Sequence, residues 1–128
     1  MLRDDEGLRL KPYHCTANKL TIGFGRNLED RGISESEAEF LLANDVSEIH
    51  EDLSEIYDFF EYLSPTRKAV LINMAFNLGL NGLSKFKKMI KAIEEDNYAE
   101  AASEMLDSRW ANQVGKRAQR LSRLMVTG

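Results

Sequence analysis

One cysteine, two histidines, two prolines and one tryptophan are spread over 128 residues, and each scarcity excludes something. The single thiol, Cys15, closes no internal disulfide, so the fold must rest on noncovalent packing and suits a reducing compartment. His14 beside Cys15 falls short of a metal centre, because a structural zinc takes about four ligands and the other histidine is His50. No metal is expected. No apolar run approaches the roughly 20 residues that span a bilayer, and the opening MLRDDE lacks the apolar stretch of a secretory signal. The expectation is a soluble chain without membrane insertion or an export signal of its own. With so little proline and only eight glycines, the composition favours long helices over a many-stranded sandwich or a disordered tail.

What is present is 43% hydrophobic and 30% charged residues, enough for one compact domain and too little for two independent cores. The net charge of -4 is unevenly distributed. Glu29 to Glu61 holds twelve acids and one base, Arg31, whereas Arg109 to Gly128 holds five bases and no acid. Solvated helix faces explain much of this, and the basic end also suits an anionic polymer. An acidic total and the lack of a recognised motif argue against a nucleic-acid-binding module.

Period and punctuation give the elements. Leu2, Leu8 and Leu10 among charges form a short first helix that Lys11-Pro12 should stop by Leu10. From Tyr13 to Gly25 the period shortens: Leu20, Ile22 and Phe24 alternate with Thr21, Gly23 and Gly25 after a polar Ala17-Asn18-Lys19 turn. This predicts a β-hairpin, with room for a third short strand. Arg26 to Gly32 reads as a polar loop, and Ser34-Glu-Ser-Glu37 has the form of a capping box that opens a helix. Leu42, Val46, Ile49, Leu53, Ile56 and Phe60 mark one apolar stripe down that helix, expected to be core. Ser64-Pro65 starts a central helix that is apolar almost all round from Ala69 to Leu78 and ends at Gly79. Ser84 should cap a helix with Phe86, Met89, Ile90 and Ile93 inward, and Tyr98 to Leu106 and Lys116 to Met125 complete a helical second half.

Glu6 falls at the predicted end of the first helix, among unpaired carbonyls that favour the protonated carboxyl a general acid needs. A helix-end glutamate is otherwise an ordinary surface charge. Cys15 and Thr21 flank the hairpin turn, so an acid, a thiol and a hydroxyl can meet at one cleft. A buried thiol and a plain strand threonine are the alternatives.

Glu6, eight residues, Cys15, five residues and Thr21, followed by TIGFG, resemble the catalytic signature of the T-even type phage lysozymes, glycoside hydrolase family 24, whose second position is Asp or Cys. RGISESEAEFLLANDV (Arg31 to Val46), RKAVLINMAFNLGLNGLSKF (Arg67 to Phe86) and SRWANQVGKRAQR (Ser108 to Arg120) are similar to later blocks of that family, in order. The resemblance implies a mostly helical α+β lysozyme-like fold. Its parts would be a small hairpin lobe at about 12–33, a linker helix at about 34–60 and a helical lobe at about 61–128 with helix 1–10 packed on it.

It also implies an endolysin that hydrolyses the β-1,4 bond between N-acetylmuramic acid and N-acetylglucosamine in peptidoglycan. A lytic transglycosylase on the same bond, or an inactive wall-binding or scaffold protein, is the alternative. Glu6 would protonate the leaving oxygen while Thr21 and the second-position residue place a water, following the two-carboxylate logic of glycosidases. A thiol ionises near pH 8.5 and an aspartate near 3.9, so Cys15 is either an orienting group or a thiolate nucleophile. Arg117 matches an arginine that faces the catalytic glutamate, and Arg109 and Asn77 match groove positions that contact saccharide or peptide. Trp110 is expected in the core, and Arg26 is expected to pair with Asp45. The Arg26 to Gly32 loop, shorter than in larger relatives, implies a missing small-lobe helix and a more open groove. No cofactor is implied. The expected protein is a monomer that waits in the host cytoplasm and reaches the wall with the help of a holin.

Overall fold

The computed structural model describes residues 1–128 and is α+β, mostly helical, with one three-stranded antiparallel sheet. The chain divides into two compact units, Met1–Leu42 and Ala43–Gly128.

The first unit begins with α1 (Leu2–Glu6), followed by β1 (Arg9–His14), β2 (Leu20–Gly23), β3 (Arg26–Asn27) and α2 (Leu28–Arg31). The first helix is shorter than the sequence suggests. It leaves helical geometry at Gly7, whose φ of 72° suits a residue without a Cβ, and residues up to His14 are already extended. Pro12 therefore lies inside an edge strand, where its missing N–H does no harm, and the β1–β2 register shifts between Arg9 and Tyr13. The third strand is Arg26–Asn27, just beyond the Tyr13 to Gly25 segment expected to hold it, and it pairs with Thr21 and Ile22. The expected polar loop thus contains a strand and one helical turn. Asn27 caps that turn by accepting from the Asp30 amide at 3.0 Å, so a short helix stands where none was expected.

Helix α3 (Glu35–Ile56) starts in the first unit and ends in the second. The capping box is formed: Glu37 N–H donates to Ser34 Oγ at 3.1 Å, and Ser34 N–H donates to Glu37 Oε1 at 2.9 Å. The apolar stripe joins the core only in part, at Leu53 with Ile49 packed beside it. Leu53 is fully buried, whereas Leu42 and Ile56 are half exposed, and Phe60 is buried from a separate 3₁₀ turn (Phe60–Tyr62) after the helix has ended.

The second unit holds α4 (Pro65–Ser84), α5 (Lys87–Glu94), α6 (Tyr98–Leu106), α7 (Arg109–Val114) and α8 (Lys116–Thr127). Ser64 caps α4 ahead of a first-turn proline, and Gly79 (φ 79°) breaks its helical path, as the apolar run ending at Leu78 suggests. Ser84 does not cap α5. It is the last residue of α4, its hydroxyl donates to the Asn81 carbonyl, and α5 starts from Phe86 with no side-chain cap. Val70, Leu71 and Met74 of α4 join Met89 and Ile93 of α5, Met105 of α6 and Leu121 and Met125 of α8 in one core. Arg67 closes the far end of α8: its guanidinium lies 3.5 Å from the Tyr98 ring centroid and donates to the carbonyls of Met125 and Val126.

Candidate active site

Glu6 is the last residue of α1, and its side chain is exposed. What lies against it is backbone. A Cβ added to Gly25 would stand 2.7 Å from Glu6 Oε2, so the carboxylate rests on the one face of Gly25 that any other residue would fill. Gly25 also has φ +77°, in the turn between β2 and β3. Both conditions call for glycine at the end of TIGFG. Within Met1–Leu42 no hydrogen bond or ion pair occupies the carboxylate.

Cys15 and Thr21 do come together. Thr21 is paired with Tyr13 across β1–β2, and Cys15, two residues beyond Tyr13, falls on the same face of the hairpin. The turn between them is tight: Asn18 N–H donates to the Cys15 carbonyl at 2.8 Å with Asn18 at φ 59°, and Cys15 N–H donates to the Lys19 carbonyl at 3.0 Å. The backbone amide of Lys19, then that of Ala17, stabilise the thiolate and lower the thiol pKa below its ordinary value, with the Thr21 hydroxyl a smaller influence in the same direction. That hydroxyl is shared, because it also donates to the Lys19 carbonyl at 2.8 Å. Thr21 is only 3% exposed, and while its proton is given to Lys19 it presents lone pairs.

Arg26 is held by Glu37, not by the expected Asp45. Both guanidinium nitrogens of a forked pair reach both carboxylate oxygens, at 2.9 and 2.7 Å, and Nη1 also donates to the Gly32 carbonyl at 3.2 Å. The capping-box geometry brings Glu37 one turn into α3, where the fork meets it; Asp45 lies two turns farther on and is exposed. This pairing and the Ser34 hydrogen bonds pull the Glu37 pKa down to about 2.

In the second unit, Arg117 is half-buried and anchored on α4: Nε donates to Asn73 Oδ1 at 2.8 Å and Nη2 to the Asn73 carbonyl at 3.4 Å. Asn73 was not singled out from sequence, though a lone amide inside the apolar run Ala69 to Ala75 is the kind of signal that marks a buried polar tie. Trp110 is core, 4% exposed, and its indole donates to Asn77 Oδ1 at 2.8 Å. Asn77 itself is exposed and keeps its amide donors. Arg109 is exposed and lines a groove of about 640 Å³ with Leu78, Phe86, Lys88 and Trp110. No group of His, Cys, Asp and Glu side chains is arranged to hold a metal ion.

Comparison with known proteins supplies the family. The phage lysozyme family profile matches residues 3–124. The chain belongs to the phage lysozyme family. It is 33% identical to a probable T4-type lysozyme 2 of Dictyostelium discoideum, over all of this chain and 92% of that protein. It is 29% identical to the pre-baseplate central spike protein Gp5 of Enterobacteria phage T4, over all of this chain but 27% of that protein. An endolysin of Acyrthosiphon pisum secondary endosymbiont phage 1 is 26% identical over 91% of this chain and 80% of that protein. The family assigns a lysozyme-type hydrolysis of the bacterial cell wall, with peptidoglycan as the substrate. The first of these alignments runs over 157 positions against 128 residues here, leaving 29 positions filled in the relative and empty in this chain.

Proposed function

We propose that this chain is an endolysin, an N-acetylmuramidase that cuts the β-1,4 bond between N-acetylmuramic acid and N-acetylglucosamine and so lyses the host cell. The observation that carries the reading is the Glu6 carboxylate seated on the bare backbone of Gly25, free of any cation of its own unit. Glu6 in its protonated form gives its proton to the glycosidic oxygen as the bond to the leaving sugar breaks. A water attacks the oxocarbenium-like carbon, accepted by Thr21 lone pairs and oriented by Cys15, and its released proton passes to the thiolate or to solvent. Arg117, steadied by Asn73, is a supporting residue, while Arg109 and Asn77 contact saccharide or stem peptide. The protein works as a monomer without a cofactor, accumulates in the host cytoplasm and depends on a holin to reach the wall.

The test is a turbidity assay on purified peptidoglycan with wild type, Glu6→Gln, Cys15→Asp and Cys15→Ala. Glu6→Gln should abolish clearing, and clearing at the wild-type rate would end the proposal. Cys15→Ala should keep measurable activity and Cys15→Asp at least the wild-type rate. Products with retained anomeric configuration would replace the water-orienting role of Cys15 by a covalent thiolate. Products one water lighter would make the enzyme a transglycosylase.

A further inference from the structure

Helix α1 cannot hold itself. Its 5 residues fall far below the about 12–15 at which an isolated helix becomes even marginal, no side chain caps its start, and none of its residues is buried. No side-chain hydrogen bond or ion pair of Met1–Leu42 ties it to the sheet. Two other contacts do. The Arg3 guanidinium lies 5.6 Å from the ring centroid of Phe24, within reach of a cation–π attraction, and the Glu6 carboxylate rests on Gly25, the next residue. Arg3 and Glu6 are three apart and so share one face of the helix. That face grips two consecutive residues of the β2–β3 turn. Phe24 stands between Gly23 (φ 70°) and Gly25 (φ 77°), both left-handed, and is 44% exposed. Arg3 also closes the helical turn that carries the acid, because its carbonyl accepts from Gly7 N–H at 3.0 Å. Asp4, Asp5 and Glu6 follow it directly, yet its guanidinium pairs with none of them.

From this double grip we infer that Arg3, acting through Phe24, is a positioning residue for Glu6: the cation–π contact fixes how α1 is rolled over the turn, and thereby where the carboxylate points. The inference rests on Glu6 being the acid of the proposed function. In this role neither Arg3 nor Phe24 touches substrate, so the pair acts on turnover and not on affinity. A cation–π contact at an exposed site shifts an equilibrium by about two- to fivefold, and that factor is the share of productive Glu6 placement that depends on the pair.

Values of kcat and KM on a soluble peptidoglycan fragment test this with the full chain. Arg3→Gln and Phe24→Leu should each lower kcat about two- to fivefold with KM unchanged, and the double variant should fall no further than either alone. Arg3→Lys and Phe24→Tyr keep the cation and the ring and should restore most of the loss. Arg9→Gln is the control: it removes a contact of the same kind in the same unit, over the Tyr13 ring at 4.9 Å, and should leave kcat at the wild-type value. Wild-type kcat in Arg3→Gln, additive losses in the double variant, or an equal loss in Arg9→Gln would overturn the inference. The contact is also read without turnover. The Phe24 ring current should move the Arg3 Cδ protons upfield in NMR spectra, and positions unaltered in Phe24→Leu would overturn the inference as well. Glu6→Gln separates the two readings. If it turns over like wild type, the proposed function fails and takes the inference with it; if it is inactive while Arg3→Gln keeps the wild-type kcat, the inference fails alone.

Discussion

Replacing Gly25 by alanine separates two costs that a simple activity loss would merge. The backbone at Gly25 has φ +77°, and an L-residue there costs about 1–2 kcal/mol. The added Cβ would also stand 2.7 Å from Glu6 Oε2, against at least 3.4 Å for ordinary contact, so the carboxylate must retreat by about 0.7 Å. Because that oxygen ends a flexible exposed side chain, the retreat costs little stability. It costs position: displacement of a catalytic group by about 1 Å lowers turnover about a hundredfold, so a loss of ten- to a hundredfold is expected. Gly23 supplies the control. Its φ is +70° with nothing within 4 Å of a built Cβ, so Gly23→Ala carries the backbone cost without the contact. Urea denaturation should find the two variants within about 0.5 kcal/mol of each other, while initial clearing rates on peptidoglycan should fall much further for Gly25→Ala. Equal rates for the two variants would refute the assignment of Gly25 as the seat of Glu6.

Three further outcomes follow from other contacts. If Cys15 acts as a thiolate, kcat/KM should rise with pH through an ionisation below the ordinary cysteine range, and Cys15→Asp should move that rise to acid pH; profiles of wild type and Cys15→Ala that coincide would remove the thiol from the chemistry. Glu37, held at about 2 against an ordinary 4.5, binds its proton more weakly folded than unfolded, so its contribution is full above about pH 4.5 and is lost as pH falls toward 2. Limited proteolysis of Met1–Leu42 should therefore accelerate across that window, and Glu37→Gln should be susceptible already at neutral pH. Asn73→Ala removes the acceptor of Arg117 Nε and should lower stability by about 1.5 kcal/mol by urea denaturation, with turnover reduced as well; unchanged turnover would separate Arg117 from the reaction.

The second unit was legible because its sequence signals and its packing agree. An apolar run from Ala69 to Leu78, a proline at its start and Gly79 at its break are read the same way by local propensity and by the core. In the first unit they part. Alternation in Leu20 to Gly25 locates the hairpin but misjudges its faces, since Thr21 is buried and Phe24 is exposed. The rule that apolar residues point inward needs an inside, and this unit has none. For the same reason the stripe on α3 becomes core only where it reaches Leu53. At the proposed site, Glu6, Cys15 and Thr21 come from the family resemblance rather than from spacing alone, and Gly25 stands in the quoted motif without its reason, which the approach of a carboxylate supplies. The Arg26 partner was missed because Glu37 already had a local use in the capping box, and a carboxylate with two oxygens can serve both.

Lys19 ties the acidity of the thiol to the integrity of the unit that holds it. Its carbonyl accepts from both Cys15 N–H and the Thr21 hydroxyl, and its amide is the largest of the influences that lower the thiol pKa. Its ammonium, through Glu29 and Asp30, fastens that same hairpin end to α2. Each ion pair is partly exposed and worth little alone, so what matters is that the side chain and backbone of one residue serve both ends. When those ion pairs loosen, the amide leaves the sulfur, the thiol pKa rises toward its ordinary value, and Thr21 loses the carbonyl that accepts its proton. An aspartate at position 15 would be ionised at neutral pH with or without that turn. Under the proposed mechanism, a cysteine there makes the chemistry conditional on the fold of seven residues, Cys15 to Thr21, and salt that screens Lys19 should therefore depress activity in wild type more than in Cys15→Asp.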